Sequence, residues 1–237
     1  LEDALLNLLD KGLTGETIRF WVNPRPTVVI GRFQDFKSEV DVELCRELGV
    51  HVVRRCTGGG AVYQDSGNLN WSVFVFKRRI WGVNGVKGVY RFFGENVCLA
   101  LKQLGVKAVF KPPNSVYVSG KKISGMAMAV KRKALLCHGT LLVNTDPLDV
   151  YRVLRVFKPG YKTCKNRVPS ARELVTSLRV VLGRYIPFKV VENLLLNAFC
   201  RALNLKPVNT YLSALEEKTL REVYLKVLKE KSLWVLE

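Results

Sequence analysis

The 237-residue sequence predicts an α+β fold, a mixed or antiparallel sheet flanked by helices. Two observations carry this reading. Alternating segments rich in β-branched and aromatic residues crowd between residues 18 and 143, and segments of helical period precede, interrupt and follow them. No repeat, low-complexity tract or Pro/Gly/Ser-rich linker divides the chain, so one domain is expected.

The elements follow in order. "LEDALLNLLDKG" puts Leu1, Ala4, Leu5, Leu8 and Leu9 on one helical face, with Gly12 as a stop signal. "TIRFWVN" and "PTVVIG" read as short strands separated by the turn-like "NPRP". "DVELCRELG" is a short helix ending at Gly49, and "VHVVRR" a strand running into Gly58–Gly60. "LNWSVFVF" alternates as a strand, and "VKGVYRFFGENVCLALKQLG" fits a long amphipathic helix closed by Gly105. Three strand-like pieces follow, "SVYVSGKK", "KISGMAMAV" and "KALLCHGTLLVN", with Gly120 and "KRK" at turns. Then "DPLDVYRVLRV" turns helical, Asp146 capping and Pro147 at the first helical position. "FKPGYKTCKNRVPSA" is a basic loop, and "PFKVVENLLLNAFCRALN" and "ALEEKTLREVYLKVLKE" close as helices.

Composition narrows the classes. Hydrophobic residues make up 48% and charged residues 24%, ample for a core in a soluble chain. No apolar run approaches the ~20 residues of a membrane span and no leader pattern opens the sequence, so a cytoplasmic protein is expected. Six scattered cysteines without a CxxC pair, and only His51 and His138, give no zinc-ligand spacing; the metal ligands are left unassigned. A net charge of +18 calls for a polyanionic ligand or a solvated basic surface. It is concentrated between Lys111 and Arg172, with 13 Lys and Arg against two Asp.

Three stretches can carry chemistry. In "RRCTGGGAVYQDSGNLN" the glycines leave backbone N–H groups bare, which suits an anion nest or an idle turn, and Arg55 offers a planar donor fork. No GKS or GKT follows, so this is no P-loop. In "SGKKISGMA", Lys121 and Lys122 on one strand must face opposite sides, one toward solvent and one toward a cleft; an edge-strand lysine pair is the alternative. In "LLCHGTLLV", alternation puts Cys137 and His138 on opposite faces, which rules out a Cys–His pair, and Gly139 signals close approach of another group.

Together these stretches, with "TVVIGRFQ" and "NRVPSARELV", resemble the lipoate–protein ligase A family of the biotin/lipoate ligase superfamily, in the archaeal form without the C-terminal accessory domain. The resemblance implies that residues 1–237 are one catalytic domain of the class II synthetase-like type. It implies ATP and Mg²⁺ as cofactors and lipoate as substrate. Lipoate is activated to lipoyl-AMP and passed to a lysine of a lipoyl carrier domain, on a 2-oxoacid dehydrogenase E2 subunit or the glycine-cleavage H protein. It also implies that a separate accessory subunit is needed for adenylation.

Carried over residue by residue, Lys122 is the lysine contacting both lipoyl carbonyl and phosphate, and Arg55 with Gly60 to Tyr63 holds nucleotide and adenylate. Thr57, Gly58, Gly59, Ala61, Val62, Asn68, Ser124, Gly125, Ala127 and Thr140 complete the expected site. Asn114 falls near the phosphate, and His138 and Gly139 line the acyl pocket. Gln64 replaces the family's usual histidine, and Ser115 an aspartate, which bears on Mg²⁺ placement. The rivals are an octanoyltransferase to lipoyl carrier protein with a cysteine nucleophile, Cys137 being the one cysteine in a pocket strand, a biotin ligase, whose "GRGRRG"-type loop is lacking, and a nucleic-acid-binding protein. Against the last, Trp71, Phe74, Phe76, Phe92 and Phe93 fall at core spacing rather than along a basic stripe.

Overall fold

The computed structural model describes residues 1–82 and 84–230. Its larger sheet has six strands: β1 (Thr17–Val22), β5 (Asn68–Phe76), β6 (Ala108–Lys111), β7 (Ser115–Val118), β8 (Lys121–Val130) and β9 (Ala134–Leu142). They lie in the order β1-β5-β9-β8-β7-β6, antiparallel throughout. The smaller sheet sets β2 (Thr27–Ile30) between β3 (His51–Arg54), parallel, and β4 (Val62–Gln64), antiparallel. Both alternatives for the sheet are thus present, one in each.

Of the helices, α1 is Glu2–Lys11, α2 Phe36–Glu39, α3 Val42–Glu47, α4 Lys77–Ile80 and α5 Gly85–Lys102. Further on come α6 (Pro147–Val153), α7 (Leu178–Leu182), α8 (Phe188–Leu203) and α9 (Ala214–Glu230). The sequence signals at their ends act as expected. Gly12 ends α1 in the left-handed region, the Asp41 side chain accepts from Leu44 N–H at the start of α3, and Asp146 accepts from Leu148 N–H above Pro147. Five elements lack an expectation: α2, β4, α4, β6 and α7, each only three to five residues long.

Two-residue alternation decides which side of the large sheet each residue faces. Leu69, Trp71, Val73 and Val75 of β5 point into the main core, beneath α5 and α8. There the Trp71, Phe93 and Phe199 rings pack with centroids 5.0–5.9 Å apart, at tilted and edge-on angles. Asn68, Asn70 and Ser72 alternate to the other side, which α1 covers at one end through Leu5, Leu6 and Leu9. The rest of that side carries the cavity described below. Its far wall is the small sheet, whose own core joins Val28, Ile30 and Val52 to Val150, Val153 and Leu154. Cys137 goes to the main core with no exposure, whereas His138 faces the cavity side, as alternation requires.

Candidate active site

The site begins with the turn between β7 and β8. Ser119 and Gly120 both have positive φ, at 49° and 78°, the geometry of a two-residue hairpin whose twist matches its strands. This sets the register of β8. Tyr117 lies opposite Lys122, and Ser115, Gly125, Thr140, Asn70 and Trp21 form one row across five strands. That row lines a cavity of about 410 Å³, with His138 and Ala127 in the next row. Lys121 turns to solvent while Lys122 enters the cavity, so the lysine pair divides as expected.

The opposite wall is the glycine loop, which Arg55 holds together, while Arg54 holds the segment that follows β2. Arg54 Nη1 donates to the carbonyls of Gly31, Arg32 and Gln34. Arg55 donates through Nε to Thr57 Oγ1, through Nη1 to Val29 O, and through Nη2 to the carbonyls of Gly58 and Gly60. Four of the five guanidinium N–H donors are therefore occupied. This changes the part expected of Arg55: it fastens the loop around its own charge, and one donor is left for a ligand anion. Burial, the dominant influence, lowers its pKa to about 10. Gly59 sits at φ 93°, out of reach for most side chains.

Replacing Arg55 by lysine removes the planar fork and strands several of these carbonyls. The expected cost is about 2–4 kcal/mol, seen as a thermal midpoint lower by roughly 5–15 °C. An unchanged midpoint would show that the loop holds itself.

His138 is tied on both sides, Nε2 to Thr57 Oγ1 at 2.8 Å and Nδ1 to Glu2 Oε2 at 2.9 Å. Glu2 also accepts from Ser72 Oγ. Burial pushes the Glu2 carboxyl upward, but the bonds from His138 and Ser72 outweigh it and leave its pKa lowered. The N-terminal helix thereby braces the histidine that faces the cavity. Asn68 donates to Asn70 Oδ1 at 3.0 Å, and the buried Asn70 Nδ2 has no protein partner. A buried unpaired donor bordering a cavity is a place for a ligand acceptor.

Of the seventeen residues expected in the site, all but Thr57, Gly58 and Asn68 line the cavity. Thr57 lies behind His138, Gly58 packs under the Phe33 ring, and Asn68 supports Asn70. Close approach at Gly139 is borne out: a Cβ there would lie 2.5 Å from the Trp71 ring. The sequence reading overlooked Trp21, Asn70 and Glu173 as lining residues. Trp21 and Asn70 sit at legible positions of alternating strands, whereas Glu173 comes from a segment without periodicity.

The electrostatic centre is Lys122, whose Nζ lies 2.8 Å from Glu173 Oε2; Tyr117 OH donates to Glu173 Oε1. Burial lowers the Lys122 pKa to about 8 and raises that of Glu173, while the contact itself favours both charges. Glu173 is the one carboxylate in the lining, and no cluster of three or more His, Cys, Asp or Glu exists among the described residues. The side chains therefore do not make a Mg²⁺ cage. None of the six cysteines lines the cavity, and burial in the core pushes the Cys137 thiol far up. As the nucleophile of the transferase alternative, Cys137 is on the wrong face of its strand.

A cavity with an apolar wall, one lysine, a braced histidine and a glycine loop fits an acid carried on a hydrocarbon chain. A model of the lipoyl protein ligase A/B catalytic domain matches residues 1–200. The chain belongs to that family. A putative lipoate-protein ligase A of Aeropyrum pernix is 33% identical over 222 residues, 93% of this chain and 80% of that one. Several bacterial ligases are longer; the chain spans 47% of the Bacillus subtilis ligase it matches.

Among solved structures, a putative lipoate ligase of Thermoplasma acidophilum with bound lipoic acid superposes with a TM-score of 0.77 at 29% identity, covering 94% of this chain and 87% of that one. A further Thermoplasma structure is described as a bi-partite lipoate protein ligase with its E2 lipoyl domain (TM-score 0.77, 27% identity, coverage 94% and 86%). A lipoate-protein ligase A bound with ATP gives 0.78 at 27% identity, covering 94% and 88%. An octanoyltransferase of Moorella thermoacetica is 26% identical over 94% of this chain and 88% of that one, so the lipoyl ligase fold serves transferases as well.

Proposed function

We propose that this chain is an ATP-dependent lipoate–protein ligase, joining lipoate to AMP and passing the lipoyl group to a lysine of a carrier domain. The observation that carries the proposal is Lys122, the one ammonium inside a cavity whose apolar wall includes Trp21, Ala61, Val62, Ala127 and Leu142. In the first step a lipoate carboxylate oxygen attacks the α-phosphorus of ATP and pyrophosphate leaves. In the second, the neutral amine of the carrier lysine attacks the acyl carbon, the acyl–phosphate bond breaks and AMP departs. The first step brings anionic oxygens together, the second develops charge on the acyl and departing phosphate oxygens as the amine proton is lost to solvent, and little covalent chemistry is asked of the protein. Lys122 stands where charge builds on the bridging and phosphoryl oxygens, and Gly59 and Gly60 line the same space. The hydrocarbon chain and dithiolane suit the apolar wall, and Asn70 and His138 supply polar contacts at its base.

A Mg²⁺ ion would take its ligands from nucleotide phosphates and water, and no step here runs through it. The cysteines, all free, suit a reducing compartment and hence the cytoplasm. The basic stretch from Lys111 to Arg172 suits an acidic carrier domain. By likeness to the bi-partite Thermoplasma ligase, adenylation is expected to depend on a second subunit.

The test is the intact mass of a lipoyl domain after incubation with the chain. Ready-made lipoyl-adenylate should add one lipoyl group with the chain alone; lipoate with ATP should do so fully only when the second subunit is present. A thioester on a cysteine of this chain, with no ATP requirement, would replace the ligase by the transferase. Failure to use lipoyl-adenylate would end the proposal.

The low pKa of Lys122 gives a pH signature. Anion binding needs the ammonium form, so lipoate affinity should be flat below pH 7 and fall as pH rises through about 8. The titratable groups facing it are Glu173 and Tyr117, with Lys111 Nζ 4.6 Å from the Tyr117 ring centre on the far side. Calorimetry from pH 6.5 to 9.5 checks this; a decline that survives in Lys122→Arg would assign it to another group.

A further inference from the structure

We propose that Glu173 is a built-in competitor for the anion site: its carboxylate occupies Lys122 and Tyr117 in the ligand-free chain, and a substrate anion must displace it. The proposal rests on the reading of Lys122 as the residue that holds the substrate anion.

The placement of Glu173 is a product of the fold rather than of a wandering side chain. The segment from Lys158 to Thr176 contains no helix and crosses the open side of the cavity. It is anchored at both ends of that crossing. At Ser170, the backbone N–H donates to Glu39 Oε2 and Oγ accepts from Ala61 N–H and from Gln34 Nε2. At Val175, the chain pairs in parallel with β8: Lys122 N–H donates to Leu174 O at 2.8 Å, and Thr176 N–H to Lys122 O at 2.9 Å. Glu173 hangs between these anchors, and both of its oxygens are taken, one by the lysine and one by the tyrosine.

Of these two donors, Lys122 lines the cavity and is the one a carboxylate or phosphate entering it would use. Lys122 has three N–H donors and gives one to Glu173, so geometry alone does not bar a second anion. Charge does: a fixed negative group 2.8 Å from the ammonium offsets the field that would attract another. Ligand entry then exchanges one carboxylate for another oxyanion at Lys122. Because the exchange needs only a rotation of Glu173 or a shift of residues 171–173, the two anchors can stay in place. Such a device lowers affinity for stray anions and leaves the ligand that also fills the apolar wall.

The test reads Lys122 directly, without ligase activity. Pyridoxal 5′-phosphate, an aldehyde bearing a phosphate, is trapped on lysines of the full chain with borohydride, and modified residues are quantified by mass spectrometry. In Glu173→Gln, which keeps shape and loses charge, Lys122 should be labelled about tenfold faster, with Lys121 labelling unchanged as the internal reference. Inorganic pyrophosphate should protect Lys122 at about tenfold lower concentration in that variant. Tyr117→Phe, which frees one carboxylate oxygen and leaves the charge, should change the rate by less than threefold. Equal Lys122 labelling in wild type and Glu173→Gln, or weaker pyrophosphate protection in the variant, would overturn the proposal. Because labelling reads only the anion site, a chain that fails to use lipoyl-adenylate but shows the tenfold change refutes the ligase reading and keeps this one.

Discussion

Lys122→Ala is expected to lower both lipoyl-adenylate formation and transfer by about 10²–10³-fold, as for loss of a preorganised charge at a developing oxyanion. Lys121→Ala should stay within about twofold of wild type. The contrast rests on one turn. Positive φ at Ser119 and Gly120 sets the β8 register so that the first lysine faces water and the second the cavity. The Arg55 guanidinium is a poor substitute, because four of its five donors are committed to the loop. Single-turnover assays with ATP and lipoate, and separately with lipoyl-adenylate, measure the two steps. Near-normal rates in Lys122→Ala would remove the lysine from the mechanism. Lys122→Arg should recover part of the adenylation and little of the geometry, since a planar fork is wider than an ammonium.

The second large effect is expected at Gly31, a residue outside the cavity lining. A Cβ at this position would lie 2.0 Å from the carbonyl oxygen of Gly59, a backbone atom that no rotamer can move. Gly31→Ala must therefore push the whole glycine loop away from β2. Overpacking of this kind costs about 1–3 kcal/mol, and a displacement of about 1 Å in a positioning loop can cost 10²-fold in rate. The variant should melt roughly 5–10 °C lower and lose activity by about 10²-fold. Gly15→Ala is the matched control, since a Cβ there meets nothing within 4 Å. Full activity in Gly31→Ala would mean that the loop tolerates displacement and that its carbonyl framework is not what shapes the site.

Residues on regular strands were the readable part of this site. His138 and Thr140 sit on a strand long enough for alternation to assign them a side, and both line the cavity; Lys122 lines it together with Gly125 and Ala127, against strict alternation, because the β7–β8 pairing slips by one residue between Lys122 and Ser124. The same rule applied to "NLNWS" points Asn70 to the side of Asn68, so its omission was a missed inference rather than a missing signal. Arg55 is a different matter. A guanidinium beside three glycines suits a phosphate and a backbone carbonyl equally well in sequence, and only the folded loop decides that carbonyls take four of its donors. Glu173 carries no periodic signal, because it lies on an irregular crossing whose course is set by Ser170 and Val175 contacts with distant strands. The short elements β6 and α7 escaped for want of length: four or five residues hold too few periods to distinguish strand, helix and loop.

The parallel pairing of Val175 with Lys122 has a consequence for biosynthesis. As the chain emerges from the ribosome, β8 can pair with β9 as soon as Leu142 is available, through a short hairpin at Lys131–Lys133. β9 reaches only Ser124 to Val130, so the same edge at Lys122 stays uncovered until Leu174 to Thr176 arrive, and the low-polarity wall faces water in the meantime. Translation thus completes the sheet first and roofs the lysine last. A polypeptide arrested before Leu174 would hold a formed strand ladder beside an open apolar trough, the state in which a nascent chain of this kind most needs a chaperone.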